Sequence, residues 1–351
     1  MAKTMKAVVF RGPREIVLEE RPVPVVEKGT DAILKVKAAG LCGSELHTYR
    51  GNLSTGKGHI MGHEFVGTVV ETGGDVKDFK VGDEVISCFT IQCGKCWFCT
   101  HGYSSKCPQV KVFGTPGLDG GQAEYVRVPL ADSTLVHRPQ ELSESVLVLM
   151  ADIFTTGYYG VTNFTKKSTQ AEVNEAITVV LGCGPVGLCA IASAKHMGIK
   201  TVFAVDSVPD RLEHAQRFGA TPLKLDDTSL LEKSVLDATE GRGADLVIEV
   251  VGSQDALLLA FKLIRQAGFI SSIGYQHDKF PFSALDCYLK NITMQFGRCP
   301  GMSLFPESLE VFKQVAPQFE DFVDMSLPLD KAPYAFDLFD KHGARKIVFT
   351  P

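Results

Sequence analysis

At 351 residues the chain is longer than one hydrophobic core usually organises, so two domains are expected, either long enough to bury its own core. Apolar residues make up 45% and charged residues 22%, close to the globular average, which excludes a disordered or low-complexity chain. A net charge of -5, with no extended Lys/Arg cluster, excludes the electrostatic footprint of a nucleic-acid or anionic-membrane binder.

In chain order, the N-terminal MAKTMKAVVFRGPRE lacks an apolar h-region, so no secretory signal is expected; the cysteines should then be reduced and the compartment cytoplasmic. AVVF, AILKVKAAG, EFVGTVVETG and DEVIS follow, short Val/Ile/Ala-rich stretches punctuated by Gly, which predict a compact β-rich sheet or barrel. From about Thr155 the texture changes. AITVVLG, TVFAVD, ADLVIEVVG and GFISSIG are apolar strands separated by helix-like stretches such as VPDRLEHAQRFGA, an alternation that predicts a doubly wound parallel sheet. The uncharged run from Ile177 to Ala194 approaches membrane length, but Gly182, Gly184, Pro185 and Gly187 break it, and a strand, turn and helix explain it better than a span. Past about Gln295 the pattern dissolves into mixed segments.

The strand–turn–helix carries GCGPVG, with Gly182, Gly184 and Gly187 as GxGxxG and Pro185 and Val186 between them. That motif is weak alone. Here the next strand, TVFAVD, ends in Asp206, nineteen residues past Gly187, which supplies the context of a dinucleotide site. Glycines let the backbone approach a pyrophosphate at a helix N-terminus, where free N–H groups and the helix dipole favour negative charge. An acid at the second strand's end accepts hydrogen bonds from the adenosine ribose, which points to NAD; the ordinary alternative for Asp206 is a strand-end turn residue.

Five of the ten cysteines lie between Cys88 and Cys107. Cys93, Cys96, Cys99 and Cys107, spaced CxxCxxCx7C, offer four thiolates for a closed tetrahedral zinc site that staples a polar, Gly-rich loop. Two rivals fit less well. A bacterial iron–sulfur run places its fourth cysteine after three residues, and a nucleic-acid zinc module needs a basic face that this chain lacks. Cys88 is expected to be a buried strand residue. A second, dispersed group, LCGSELH and GHEFVG, offers Cys42, Ser44, Glu45, His47, His63 and Glu64 as metal or proton-transfer groups. Singly, each has an ordinary reading: Cys42 as a small core residue, His63 as a satisfied histidine, Glu64 as surface charge.

Taken together, CGSELH, MGHEFVGTV, VGDEV, CGKCWFC with its fourth cysteine, ADIFTTGYYG and GCGPVG with its Asp resemble the zinc-dependent medium-chain alcohol dehydrogenases, in order and spacing over essentially the whole chain. The resemblance implies an α/β protein: a GroES-like catalytic domain over 1–153 with a structural-zinc lobe at 88–107, a Rossmann domain over 154–295, and a tail over 296–351 that completes the catalytic domain, with the active site in the cleft between the domains. It implies two zinc ions, the closed one and a catalytic one held by Cys42, His63 and Asp152, where many relatives have a second cysteine in place of the aspartate. Glu64 corresponds to an alternative ligand when such zinc shifts, Glu45 to a carboxylate orienting the ligand histidine, and Phe89 to a position lining the alcohol pocket. Arg211 is placed on the same ribose as Asp206.

The implied activity is reversible hydride transfer between an alcohol and NAD. The alcohol oxygen loses its proton at the open zinc position, and the proton leaves through Ser44, the cofactor ribose and His47 as terminal base. The substrate is expected to be a small alcohol, aldehyde or ketone, with formaldehyde, a polyol or threonine as alternatives that fold and motifs do not separate. A non-catalytic relative is the reading from a different class, disfavoured because every metal ligand is present. The resemblance implies a homo-oligomer, dimer or tetramer, with no feature of the sequence deciding between them; nucleic-acid and membrane partners are not expected.

Overall fold

A computed structural model of the chain describes residues 3–53, 56–276 and 278–351. It divides into two compact units, Met1–Asp152 with Pro300–Pro351, and Ile153–Cys299.

The first unit is built on a seven-stranded sheet with the path Met325–Leu327, Ile347–Phe349, Ala32–Leu41, Glu64–Thr72, Glu84–Ser87, Leu135–His137, and with Tyr125–Val128 also pairing with Ala32–Leu41. The long strand Ala32–Leu41 is the hub. Its pairing with Glu64–Thr72 shifts register at two places, Ile33/Leu34 and Val36/Ala38, and such irregularities bend and twist a strand enough to curl a sheet. Under it pack Leu34, Phe65, Val69, Phe113, Val126 and Leu135, with Phe65 and Phe113 edge to face at 5.0 Å. The tail builds a second cluster of the same unit: Ile347 pairs with Leu41, and Phe336, Phe339 and Phe349 join Phe10, Leu41, Leu46 and Met61. The segment that looked mixed in sequence therefore supplies two strands and the helices Gly301–Val315 and Ala332–Asp340 to this unit.

The second unit is a six-stranded sheet, every pairing parallel, ordered Thr221–Lys224, Thr201–Asp206, Ile177–Leu181, Ala244–Glu249, Ile264–Ser272, Thr293–Phe296. Strand order reverses between Ile177–Leu181 and Ala244–Glu249, the place where open α/β sheets bind ligands beyond their carboxyl ends. Every residue of ADLVIE is buried, as expected of a strand covered by helices on both faces. Helix Ile153–Thr165 crosses helix Pro185–His196 so closely that a Cβ on Gly157 would lie 2.6 Å from the backbone nitrogen of Ala190.

Candidate metal centres and cofactor site

In the loop after strand Glu84–Ser87, the sulfurs of Cys93, Cys96, Cys99 and Cys107 lie within 4.8 Å of one another. Gly94 and Gly102 turn this loop with φ of +69° and +85°, which glycine adopts without strain. The sulfur of Cys107 accepts the backbone N–H of Cys93 at 3.3 Å and of Gln109 at 3.4 Å, while Cys96 Sγ sits 3.6 Å from Cys99 Sγ. Burial disfavours a charged Cys93, but backbone N–H groups of Lys95 and Cys96 and the Cys107 side chain outweigh it and bring its pKa down to about 7. Burial and the neighbouring Cys96 push Cys99 up to about 12. Apolar packing does little here: the helix Trp97–Thr100 buries none of its residues, and Trp97, 59% exposed, stacks on His101 at 4.4 Å. Four thiols converging in a lobe with so little core fit a tetrahedral zinc site.

The second donor set is assembled from three distant segments. Cys42 directly follows strand Ala32–Leu41, and antiparallel register puts Gly40 opposite Glu64, so His63 and Glu64 come up beside that end. Asp152 follows the short 3-10 turn Val148–Ala151, which is anchored where Ala151 O accepts the N–H of Phe89 at 3.1 Å. Cys42, His63, Glu64 and Asp152 offer donor atoms within 4.8 Å of one another. His63 Nε2 lies 3.2 Å from Asp152 Oδ2, and Cys42 Sγ lies 3.9 Å from the same oxygen. Burial and the charge of Glu64 push the Cys42 thiol up. Burial works against a charged His63, yet Cys42 and Asp152 hold its pKa well above the usual histidine value. The pocket is thus anionic, and a thiolate becomes favourable there once a cation shares the site. Sulfur, imidazole nitrogen and carboxylate oxygen donors so grouped fit a catalytic zinc.

Around these donors the structure refines the roles expected from sequence. Glu45 acts through the backbone: its carboxylate accepts the N–H of Cys42 and of Gly62, each at 2.9 Å, and the Gln122 amide at 3.3 Å, fixing the chain that carries one donor and precedes the next. Its charge also helps keep His63 protonatable. Gly62 needs its φ of +99°, and a Cβ there would strike Gln122 at 2.6 Å. Ser44 directs its hydroxyl toward Cys42 Sγ at 3.4 Å, and His47 sits half-buried in the short helix Glu45–Tyr49 that begins beside it. The Phe89 ring stands edge-on to the His63 ring at 6.4 Å.

The surface reading of Glu64 is overturned, because Glu64 is fully buried and paired with an equally buried Lys346, whose ammonium also donates to Leu41 O at 3.2 Å. Burial alone would lower the Lys346 pKa; Glu64 and then Cys42 hold it above the usual lysine value. Sequence reading missed Lys346. It stands in the unremarkable tail GARKIVF, 282 residues from its partner.

In the second unit, Gly182, Gly184 and Gly187 take distinct roles. Gly182 has φ +95° and backs onto Val250 and Val251; a Cβ on Gly184 would meet nothing within 4 Å; one on Gly187 would lie 1.9 Å from Gly182 O. Tight turn, open approach and close helix–strand contact are what a pyrophosphate cradle requires. Helix Pro185–His196 starts with Pro185 and no side-chain cap, which leaves its first N–H groups for an anion. Asp206 Oδ2 accepts the N–H of Cys183 at 2.8 Å and Oδ1 that of Val208 at 2.9 Å, with Arg211 3.6 Å from Oδ2. The cradle and the acid beside it fit a nicotinamide dinucleotide.

Residues 28–140 match the alcohol dehydrogenase GroES-like domain and residues 185–314 the zinc-binding dehydrogenase domain. The chain is 45% identical over 98% of its length, and 81% of the relative's, to the zinc-type alcohol dehydrogenase B of Aspergillus flavus. It is 52% identical over 81% of its length, and 98% of the relative's, to the medium chain reductase/dehydrogenase ucsI of an Acremonium species. Among solved structures, the alcohol dehydrogenase TADH from Thermus sp. ATN1 aligns with a TM-score of 0.90 and 33% identity, covering 99% of both chains. The chain belongs to the zinc-dependent medium-chain dehydrogenase/reductase family. It is an oxidoreductase of the zinc-dependent alcohol dehydrogenase class, acting on small molecules with zinc and a nicotinamide cofactor. No helix among the described residues is long and apolar enough to cross a membrane.

Proposed function

We propose that the protein catalyses reversible hydride transfer between a small alcohol and NAD, with Cys42, His63 and Asp152 holding the catalytic zinc and Cys93, Cys96, Cys99 and Cys107 the structural one. The observation that carries this reading is the buried, mixed sulfur, nitrogen and oxygen donor set with donor atoms within 4.8 Å. When bound, zinc supplies Lewis acidity to an alcohol oxygen and the nicotinamide ring accepts hydride. The chain's own residues do the rest. Glu45 fixes the backbone of Cys42 and of Gly62, which precedes His63, Lys346 holds the Glu64 carboxylate, and Phe89 walls the site beside His63. Ser44 and His47, three residues apart beside Cys42, would carry the substrate proton outward, with His47 as the terminal base because its unperturbed pKa lies near working pH.

The preference for NAD rests on Asp206. Each of its oxygens already accepts one backbone N–H and has capacity for a ribose hydroxyl. A 2′-phosphate there would face a carboxylate, and charges about 4 Å apart at an effective dielectric near 20 repel by about 4 kcal/mol. With about half of that surviving screening and rotation, about 2 kcal/mol, NAD is favoured by roughly thirtyfold in kcat/KM. The test is metal analysis with NADH absorbance on a panel of alcohols, run with NAD and NADP on wild type and Asp206→Ser. Two zinc ions and selective turnover with NAD support the reading; equal efficiency of the two cofactors in wild type removes Asp206 from it.

The assembly we infer is a homodimer joined along the sheet edge Thr293–Phe296. That edge lies beside the helix Ala284–Lys290, which buries none of its residues and exposes Leu285 at 62%, Tyr288 at 80% and Leu289 at 68%. An unpaired edge flanked by apolar side chains is self-complementary across a two-fold axis. Light scattering on Leu285→Asp/Leu289→Asp, expected to give monomers, tests it. The cytoplasm is the compartment this reading assigns, since none of the ten cysteines is paired in a disulfide and five of them are proposed zinc ligands.

A further inference from the structure

At the carboxyl end of strand Ala244–Glu249, Glu249 is fully buried, yet no Lys or Arg pairs with it among the described residues. Four neutral donors hold it instead. Oε1 accepts the backbone N–H of Val251 and of Gly252, both at 2.7 Å. Oε2 accepts the Ser272 hydroxyl at 2.8 Å and the Gln276 amide at 2.7 Å. Its backbone carbonyl accepts two more, from Ile273 at 2.9 Å and Gly274 at 3.1 Å. A carboxylate has about four acceptor sites, so this one is saturated, and an apolar residue here would orphan several buried donors.

Apart from Ser272, which ends strand Ile264–Ser272, these donors belong to two turns beyond the sheet, 250–252 and 273–276, which touch backbone to backbone: a Cβ on Gly274 would lie 2.3 Å from the nitrogen of Gly252, and one on Gly252 2.5 Å from Tyr275 O. The first turn also backs the glycine cradle. A Cβ on Gly182 would lie 3.0 Å, and one on Gly187 3.4 Å, from Val250 Cγ2, and Leu181 lies opposite Glu249 in register. Burying a lone carboxylate is costly, and a site that bears that cost for turn geometry alone needs those turns held in one arrangement.

We propose that Glu249 is a positioning residue for the dinucleotide, a two-pronged clamp whose Oε1 prong fixes the turn behind the glycine cradle and whose Oε2 prong fixes the neighbouring turn at the same sheet edge. The proposal rests on the reading that this unit binds a nicotinamide dinucleotide. Glu249→Gln preserves the clamp: its amide oxygen keeps the two backbone N–H groups, and its NH2 faces Ser272 Oγ and a Gln276 amide rotated to present oxygen. Glu249→Ala removes both prongs and Gln276→Ala half of one.

The experiment titrates NADH into the zinc-loaded protein by fluorescence enhancement, with melting temperature and zinc content measured alongside. Expected dissociation constants rise about tenfold or more for Glu249→Ala, roughly threefold for Gln276→Ala, and stay within roughly threefold of wild type for Glu249→Gln, with zinc content unchanged in all three. Unchanged NADH affinity in Glu249→Ala, or in Gln276→Ala if the first variant does not fold, overturns the clamp and leaves Glu249 a residue of stability only. A Glu249→Gln variant as weak as Glu249→Ala also overturns it, because charge rather than hydrogen-bond geometry would then be at stake. If wild type bound neither NADH nor NADPH, the dinucleotide reading itself would fail and the clamp with it.

Discussion

The two sulfur-bearing donor sets sit in the same unit but are held in opposite ways. Four cysteines of one loop, within fifteen residues of chain, converge with hardly any apolar burial around them. Cys42, His63 and Asp152 span 110 residues, and each is delivered by a buried strand end or turn of the sheet. Behind them stand Glu45 and Gln122, with Lys346 on the neighbouring Glu64. In the first set the metal holds the chain; in the second the chain is held without it and lends its donors to the metal. A closed set would commit all its ligands to stability, whereas a dispersed set made rigid by the sheet could leave a coordination position for chemistry.

That contrast predicts different failures. Cys99→Ser should cut zinc from two ions per chain to one and lower the melting temperature by about 10 °C, since the lobe's folding energy is largely metal-binding energy; unchanged metal content and melting would show that the lobe is not closed by metal. Asp152→Asn should lower kcat by about 10²–10³-fold while the melting temperature moves little, measured by steady-state kinetics and calorimetry. Should it lower the melting temperature as much as Cys99→Ser, the two sets would not differ in kind.

Lys346→Met tests the support behind the open set. It leaves the Glu64 carboxylate buried and unpaired, which should cost roughly 3 kcal/mol in urea unfolding, and Lys346→Met/Glu64→Gln should restore most of that loss. A double variant no better than the single one would mean that the pair does not act as a unit. The smallest effect is expected for His47→Gln: about tenfold in alcohol oxidation at neutral pH, shrinking as pH rises and hydroxide takes the proton, with NADH affinity unchanged. A pH–rate profile identical to wild type would take His47 out of the proton path.

Much of this is legible in the sequence. Cysteines spaced two residues apart around a glycine turn converge because local backbone geometry leaves little choice, and glycines between an apolar strand and a helix mark a turn for the same reason. The parallel sheet was readable from its four continuous apolar strands. Its two outer strands were not: Thr221–Lys224 contains Pro222 and ends in a lysine, and Thr293–Phe296 is half-exposed, so neither has the buried run that marks an inner strand.

What the sequence by itself determined were the groups whose chemistry depends on near neighbours: the four-cysteine loop, the glycine cradle and the acid that closes the following strand. The tertiary structure decided the contacts whose partners are far apart. Lys346 reaches Glu64 because the tail strand pairs Ile347 with Leu41, and Glu249 reaches Ser272 and Gln276 because parallel register puts neighbouring strand ends level. Spacing within a turn is set by bond geometry, which a sequence carries, whereas register across a sheet is set by the packing of the whole core, which no single segment of sequence carries.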